Sequence, residues 1–250
     1  MSPDGGTRTW TVTSQYLAGP TEIEAILPRR LQPGRRYPVL YILPVNPGAQ
    51  GPWGSGLEEA RNQDVANRHS LVCVAPTFDS LPWYADHPTD PAIRQESHFL
   101  NIVLPSVESR LPVLREACGR LLVGFSKSGW GAFSLLLRRP DLFGSAASWD
   151  APLMKQAPDA FGMEQVFATP ENFEAYKITA LVERRANLLR PQPPRLVLMG
   201  YGNFREDTVQ MHDRLAALGV THLYDNQTER RHDWHSGWLA EAVKYLMAPA

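Results

Sequence analysis

Short apolar runs and longer amphipathic segments alternate along most of the chain. Apolar runs of four to eight residues, bounded by glycine, proline or polar residues, are typical of buried strands. Segments with helical spacing of apolar residues predict amphipathic helices. The predicted strands are 9–16, 21–27, 37–43, 71–75, 120–125, 143–149, 195–201 and 221–225. The predicted helices are 57–68, 91–110, 129–139, 206–218 and 237–247.

This alternation predicts an α/β fold with a mostly parallel central sheet and helices on both faces. The chain shows no internal repeat, so we expect a single domain over residues 1–250. Residues 151–194 break the alternation with several prolines and short helical pieces. Because long connections over a sheet often form substrate walls, we interpret this stretch as a lid-like insertion after the sixth strand.

Composition narrows the function classes. Apolar residues make up 43% of the 250 residues, charged residues 20%, and the formal net charge is −1. This balance gives no basic field for nucleic acid, and no apolar run approaches the roughly 20 residues that span a bilayer. The polar start, residues 1–8, lacks a secretory signal, so we expect a cytoplasmic protein. Cys73 and Cys118 are not spaced as metal ligands and are expected to be buried free thiols.

Ser126 is the strongest candidate for a catalytic residue. It stands in Gly-Phe-Ser-Lys-Ser-Gly, residues 124–129, between a predicted buried strand and a predicted helix. A sharp strand-to-helix turn of this kind exposes a nucleophilic serine above a sheet and needs small neighbours. The usual pattern ends in glycine, and Ser128 is small enough to replace it. The plainer interpretation is a Gly/Ser-rich turn that caps a helix.

Residues 124–144 resemble the esterase family that includes esterase D, and Arg-His-Asp-Trp, residues 231–234, resembles that family's Gly-His-Asp-Trp segment. The resemblance extends from about residue 38 to the C-terminus. It implies an α/β-hydrolase fold, ester hydrolysis by a serine nucleophile and no cofactor or metal. His232 then matches the general base, with His235 as the alternative.

A serine hydrolase of this kind uses a Ser-His-acid triad, and the sequence offers more than one candidate for the acid. The position that matches the family's aspartate is Asn203, which carries no negative charge. Asp150, directly after the sixth predicted strand, is the preferred replacement, because the ends of neighbouring parallel strands face one crevice. Asp207, at the start of a predicted helix, is the alternative. A Ser-His dyad or an inactive site also remains open.

Two backbone N–H groups are expected to hold the oxyanion. Lys127 N–H, at the N-terminus of the helix after Ser126, is the first. The second comes from the loop after residue 43, where the family's His-Gly is replaced by Pro44-Val45. Proline has no N–H, so either Val45 or Asn46 donates, and we favour Val45.

Aromatic residues cluster near the expected site. Trp53, Trp83, Trp130 and Trp149 are candidates for substrate binding, although most buried tryptophans belong to a core. Lys127 is a candidate for attracting an anionic group of the substrate. We therefore predict a serine esterase for a small-molecule or carbohydrate-linked ester, with neither nucleic acid nor membrane as a partner. The alternatives are an acyltransferase or thioesterase on the same residues and a catalytically silent binding module.

Overall fold

Eight strands form one sheet in the computed structural model, which describes residues 6–48, 51–190 and 193–248. The predicted polar start and the predicted insertion fall partly outside these residues. The strands are β1 (Thr7–Val12), β2 (Thr21–Ile26), β3 (Val39–Ile42), β4 (Val72–Pro76), β5 (Arg120–Phe125), β6 (Ser145–Trp149), β7 (Leu196–Met199) and β8 (His222–Asp225). Their order in the sheet is β1-β2-β4-β3-β5-β6-β7-β8.

The direction of the strands defines where a site can form. β2 is antiparallel to both β1 and β4, whereas β3 to β8 are parallel to one another. The predicted mostly parallel α/β sheet is thus confirmed. The carboxyl ends of β3, β5, β6 and β7 meet at one edge, and crevices in open α/β sheets lie at that edge.

Ten α-helices connect the strands in the described part of the chain. They are α1 (Gly56–Asn62), α2 (Val65–His69), α3 (Gln95–His98), α4 (Leu104–Arg110), α5 (Ser126–Arg138), α6 (Met163–Phe167), α7 (Pro170–Tyr176), α8 (Ile178–Leu189), α9 (Arg205–Ala217) and α10 (Trp238–Leu246). A π-helical turn, Phe99–Val103, joins α3 to α4. None of the described helices is both long and apolar enough to cross a membrane.

Three predicted elements differ most from the structure. The predicted helix 57–68 is two helices, because Asp64 adopts a left-handed φ of 53° between α1 and α2. The predicted helix 91–110 begins only at Gln95 and widens into the π-helical turn just before Pro105. Proline cannot donate to the preceding turn, which explains the widening. The first strand ends at Val12 rather than at residue 16.

Two apolar cores cover the two faces of the sheet. Side chains of β3 alternate between them, with Val39 and Tyr41 in one core and Leu40 and Ile42 in the other. This alternation follows from the period of two in a strand. Helices α5, α8 and α9 contribute to the first core, and α1, α2 and α10 to the second. The helices therefore lie on both faces, as predicted.

The segment between β6 and β7 has two parts. Its helix α8 packs on α5 and supplies Ile178 and Val182 to the first core. Its earlier part, by contrast, brings the exposed ring of Phe161 to 6.4 Å from that of Phe204, near the carboxyl end of β7.

Candidate active site

Ser126 lies at a sharp turn between β5 and α5. It is half-buried and has a φ of 52°, in the left-handed region that residues other than glycine rarely adopt. The turn is possible because its neighbours are small: a Cβ at Gly124 would clash with the carbonyl of Ser128, and one at Gly129 would lie 2.7 Å from Ser148 Oγ. Strain of this kind, held by surrounding structure, is common at functional residues.

Ser128 explains how the turn tolerates serine where glycine is usual. Its side chain is fully buried, and its hydroxyl both accepts a hydrogen bond from Phe125 N–H at 3.1 Å and donates one to the Phe125 carbonyl at 2.9 Å. The hydroxyl thus closes the turn locally, as the N3 side chain of a capping box does when it accepts from the N-cap N–H.

Asp150 lies directly after β6, at the same edge of the sheet. Its side chain is fully buried, and Oδ2 is 2.6 Å from His232 Nδ1. Backbone N–H groups of Asn203 and Phe204 donate to its two carboxylate oxygens at 2.9 and 2.6 Å. In addition, Ser126 N–H donates to the Asp150 carbonyl at 3.3 Å. A buried charge requires such partners, and here they are an imidazole and two peptide groups.

Two glycines of the loop after β7 make room for this carboxylate. Gly200 has a φ of 144°, and a Cβ there would lie 2.6 Å from Asp150 N. A Cβ at Gly202 would clash with the carboxylate itself, 2.8 Å from Cγ. The loop therefore crosses Asp150 closely enough for its N–H groups to reach the carboxylate.

Aromatic rings surround His232, whose side chain is 10% exposed. The rings of Phe125, Trp53 and Phe204 lie 5.0, 5.5 and 5.6 Å from the imidazole. Within the described residues, no hydrogen bond joins Ser126 Oγ to His232. In enzymes without substrate such contacts are often long and tighten only in the complex.

The alternative candidates have other partners. His235 Nδ1 lies 3.0 Å from Glu59 Oε2, so this imidazole belongs with α1. Asp207 accepts a hydrogen bond from Met154 N–H at 2.9 Å, and burial raises the pKa of its carboxyl. It therefore anchors the start of the β6–β7 segment. Among the described residues, no group of three His, Cys, Asp or Glu side chains is placed to hold a metal ion. Of the two free cysteines, Cys73 is buried as predicted, whereas Cys118 is exposed, so the prediction was wrong there.

The two residues predicted to supply oxyanion donors lie at element ends. Lys127 is the second residue of α5, where the helix offers no carbonyl to its N–H. Its side chain is half-buried, and burial lowers the pKa of the ammonium group. Val45 follows β3 and is 2% exposed, and the Pro44 carbonyl before it accepts a hydrogen bond from the Tyr84 hydroxyl.

The four candidate tryptophans divide into one exposed ring and three buried ones. Trp53 is 41% exposed and meets His232 edge-on. Trp83, Trp130 and Trp149 are at most 2% exposed and pack on other aromatic rings. These three belong to the cores because their surface is covered by protein. Only for Trp53 does a role in substrate binding remain our prediction.

Two aromatic residues near the site, Phe161 and Phe204, were not identified from the sequence. Phe204 and Phe161 extend the aromatic surface from His232 towards solvent, and Phe161 is 54% exposed with a φ of 57°. The Trp83 indole N–H donates to the Phe161 carbonyl at 3.0 Å and holds it there. No periodicity or motif marks these positions, although Gly162 after Phe161 indicates a turn.

Comparison with known proteins identifies the class and then the family. The chain has the α/β-hydrolase fold: it resembles a ferulic acid esterase with a TM-score of 0.76 at 20% identity, over 98% of this chain and 97% of the other. Its TM-score is 0.82 at 16% identity with the Staphylococcus aureus fluorophosphonate-binding serine hydrolase F, over 98% and 100% of the chains. The S. aureus S-formylglutathione hydrolase is similar with a TM-score of 0.77 at 16% identity, over 97% of this chain and 99% of the other.

No curated protein matches the sequence. Residues 14–232 match the family described as "Putative esterase", so the chain belongs to this family and is a carboxylic ester hydrolase.

Proposed function

We propose that the protein cleaves its ester through an acyl-enzyme on Ser126, with His232 as general base and Asp150 as the acid that orients it. The observation that carries this proposal is the 2.6 Å contact between His232 Nδ1 and the buried Asp150 carboxylate. It supports a triad because it accompanies a strained serine at a strand-to-helix turn of the same sheet edge.

The reaction follows from these positions. Asp150 accepts a hydrogen bond from Nδ1–H of His232, which keeps the proton of the neutral imidazole on Nδ1 and leaves Nε2 free to accept one from Ser126 Oγ. Ser126 Oγ then bonds to the ester carbonyl carbon, and the alcohol leaves with the proton from His232. Water attacks the acyl-enzyme in the second half, gives its proton to His232, and the acid is released as Ser126 recovers its proton.

Lys127 N–H and Val45 N–H are the proposed donors to the oxyanion, with Asn46 N–H as the alternative to Val45. The N-terminus of α5 supports the first, because its free N–H groups and helix dipole favour negative charge. The second rests on the loop after β3, whose carboxyl end faces the same edge as Ser126.

The substrate proposed is a small-molecule or carbohydrate-linked ester. Trp53, Phe161 and Phe204 form an aromatic surface beside His232, and planar or sugar rings stack well on such surfaces. Acyl transfer or thioester hydrolysis would use the same residues with another acceptor or substrate. A silent binding module is disfavoured: Asn203 carries no negative charge, but the Asp150 carboxylate contacts His232 instead.

The test is hydrolysis of short-chain and aromatic p-nitrophenyl esters by the wild type and Ser126→Ala. We expect Ser126→Ala to lose at least about 10⁴-fold in kcat, because no other group replaces the nucleophile. Thermal unfolding checks that the variant folds. Unchanged turnover in Ser126→Ala would refute the proposal, and ester formation with an added alcohol as the main product would favour the acyltransferase.

A further inference from the structure

The Tyr84 hydroxyl contacts the loop that follows β3. It donates a hydrogen bond of 2.7 Å to the Pro44 carbonyl, and the Tyr84 side chain is fully buried. Pro44 carries no N–H of its own, so it cannot be an oxyanion donor itself. The hydroxyl of Tyr84 therefore binds this loop at the peptide immediately before Val45.

That peptide includes one of the proposed oxyanion donors. No described peptide bond is cis. In a planar trans peptide the carbonyl and the following N–H point in opposite directions, so fixing the Pro44 carbonyl also fixes the direction of Val45 N–H. The same contact holds the first peptide of the turn that continues to Asn46 N–H. Whichever of the two donates, its position depends on the Pro44 carbonyl.

Tyr84 is itself rigidly held. Its φ of 56° lies in the left-handed region, and Gln95 Oε1 accepts hydrogen bonds from Trp83 N–H at 2.7 Å and Tyr84 N–H at 3.0 Å. The Gln95 amide in turn donates to Ser80 Oγ and the Leu81 carbonyl. Gln95 is fully buried. A fully satisfied buried network of this kind fixes the backbone from which the tyrosine ring extends.

The Tyr84 ring also packs against the helix that begins with Ser126. It lies over Gly131 of α5, where an added Cβ would clash with the ring. One side chain therefore contacts both the helix that carries Lys127 N–H and the loop that carries Val45 N–H. Oxyanion donors act only at the right separation from the developing charge, so a residue that ties these two elements together sets that separation.

We propose that Tyr84 is a positioning residue for the oxyanion hole: its hydroxyl holds the 44–46 loop at a fixed distance from the N-terminus of α5. This rests on the proposed mechanism at Ser126. Tyr84 does not touch the reacting atoms and exchanges no proton. Its contribution is expressed in the transition state, where the oxyanion forms, and not in binding of the ester.

Tyr41 provides a matched control. It is also a fully buried tyrosine, on the neighbouring strand β3, but its hydroxyl has no hydrogen-bond partner among the described residues. Tyr84→Phe and Tyr41→Phe each remove one buried hydroxyl with the ring retained. Only the first removes a hydrogen bond to the loop after β3.

The experiment measures kcat and KM for a p-nitrophenyl ester, and the affinity for an aryl trifluoromethyl ketone, whose adduct with serine places an oxyanion in the hole. The kcat is expressed per site titrated with a fluorophosphonate, so unfolded protein does not contribute. We expect Tyr84→Phe to lower kcat about 10- to 100-fold, below the loss of about 10²–10³ for a deleted donor. KM should change less than about twofold, and the ketone should bind weaker by the same factor as kcat.

Tyr41→Phe should match the wild type in all three quantities. An unchanged kcat in Tyr84→Phe would overturn the inference, as would a loss of kcat with unchanged ketone affinity, or equal losses in the two variants. These outcomes are separate from failure of the proposed mechanism, which would appear as activity in Ser126→Ala.

Discussion

The loops after β6 and β7 both lie near His232, but one contributes a hydrogen-bond acceptor and the other contributes donors. The loop after β6 supplies the carboxylate of Asp150, whereas the loop after β7 supplies two backbone N–H groups that bind this carboxylate. The resemblance to the esterase D family implied an aspartate on the second loop, where this chain has Asn203. An uncharged residue at position 203 therefore still contributes to the proposed site, because its backbone N–H binds the carboxylate that the neighbouring strand supplies.

The Asp150 carboxylate needs the N–H groups of the loop after β7 because it is buried. Asp150 is fully buried, and a buried carboxylate is stable only when hydrogen-bond donors surround it. Asn203 and Phe204 provide these donors through the main chain, and Gly200 and Gly202 allow the chain to pass closely enough. The loop after β7 is thus specified by its glycines more than by the side chain at position 203.

The largest effect in this comparison is expected for Asp150→Asn. An amide is uncharged, so it neither stabilises the imidazolium of His232 nor fixes its tautomer as a carboxylate does. We expect kcat for p-nitrophenyl ester hydrolysis to fall about 10³- to 10⁴-fold with the fold retained. A loss below about tenfold would show that another group serves His232.

A smaller effect is expected for Gly202→Ala. The added Cβ clashes with the Asp150 carboxylate and displaces it from His232, and small displacements in a catalytic group cost up to about 10²-fold in rate. We expect kcat to fall about 10- to 100-fold. Gly19→Ala is the control, because a Cβ at Gly19 meets nothing within 4 Å. Equal kcat values for the two variants would contradict the account of the loop after β7.

The smallest effect is expected for Asn203→Ala. Its side chain is exposed, and its contact with Asp150 is made by the main chain, which alanine keeps. We expect kcat to decrease less than about threefold, because peptide hydrogen bonds do not depend on the side chain. If the loss matched that of Gly202→Ala, the amide side chain would have a function of its own in the site.

Predicted strand ends placed Ser126 and Asp150 at one edge of the sheet, because neighbouring parallel strands share an edge. His232 was assigned through the family resemblance, and Asp207 stayed an alternative to Asp150. The contacts of these residues required the structure. That Asn203 serves through its main chain was not visible, because hydrogen bonds of the backbone leave no pattern in residue type. Gly200 and Gly202 indicate a turn or a close approach of the backbone, but a glycine does not reveal which residue approaches it.

Other features depended on tertiary contacts. The break at Asp64 was missed because an aspartate in the left-handed conformation has no distinct hydrophobic pattern. Three of the four tryptophans considered for substrate binding are buried in the cores, because a position near a strand end does not decide whether a ring faces solvent. The bond from Tyr84 to Pro44 joins residues 40 positions apart, and their types do not indicate that they meet.

The most direct test of the central claim is the rate at which a fluorophosphonate labels the protein, followed by mass spectrometry of the labelled peptide. This reaction isolates attack by the serine and needs His232 oriented as base. We predict that the label is on Ser126. The labelling rate should be at least about 10²-fold lower in Asp150→Asn and unchanged in Asp207→Asn. A label on another residue, or a slow reaction in Asp207→Asn with Asp150→Asn unaffected, would contradict the account.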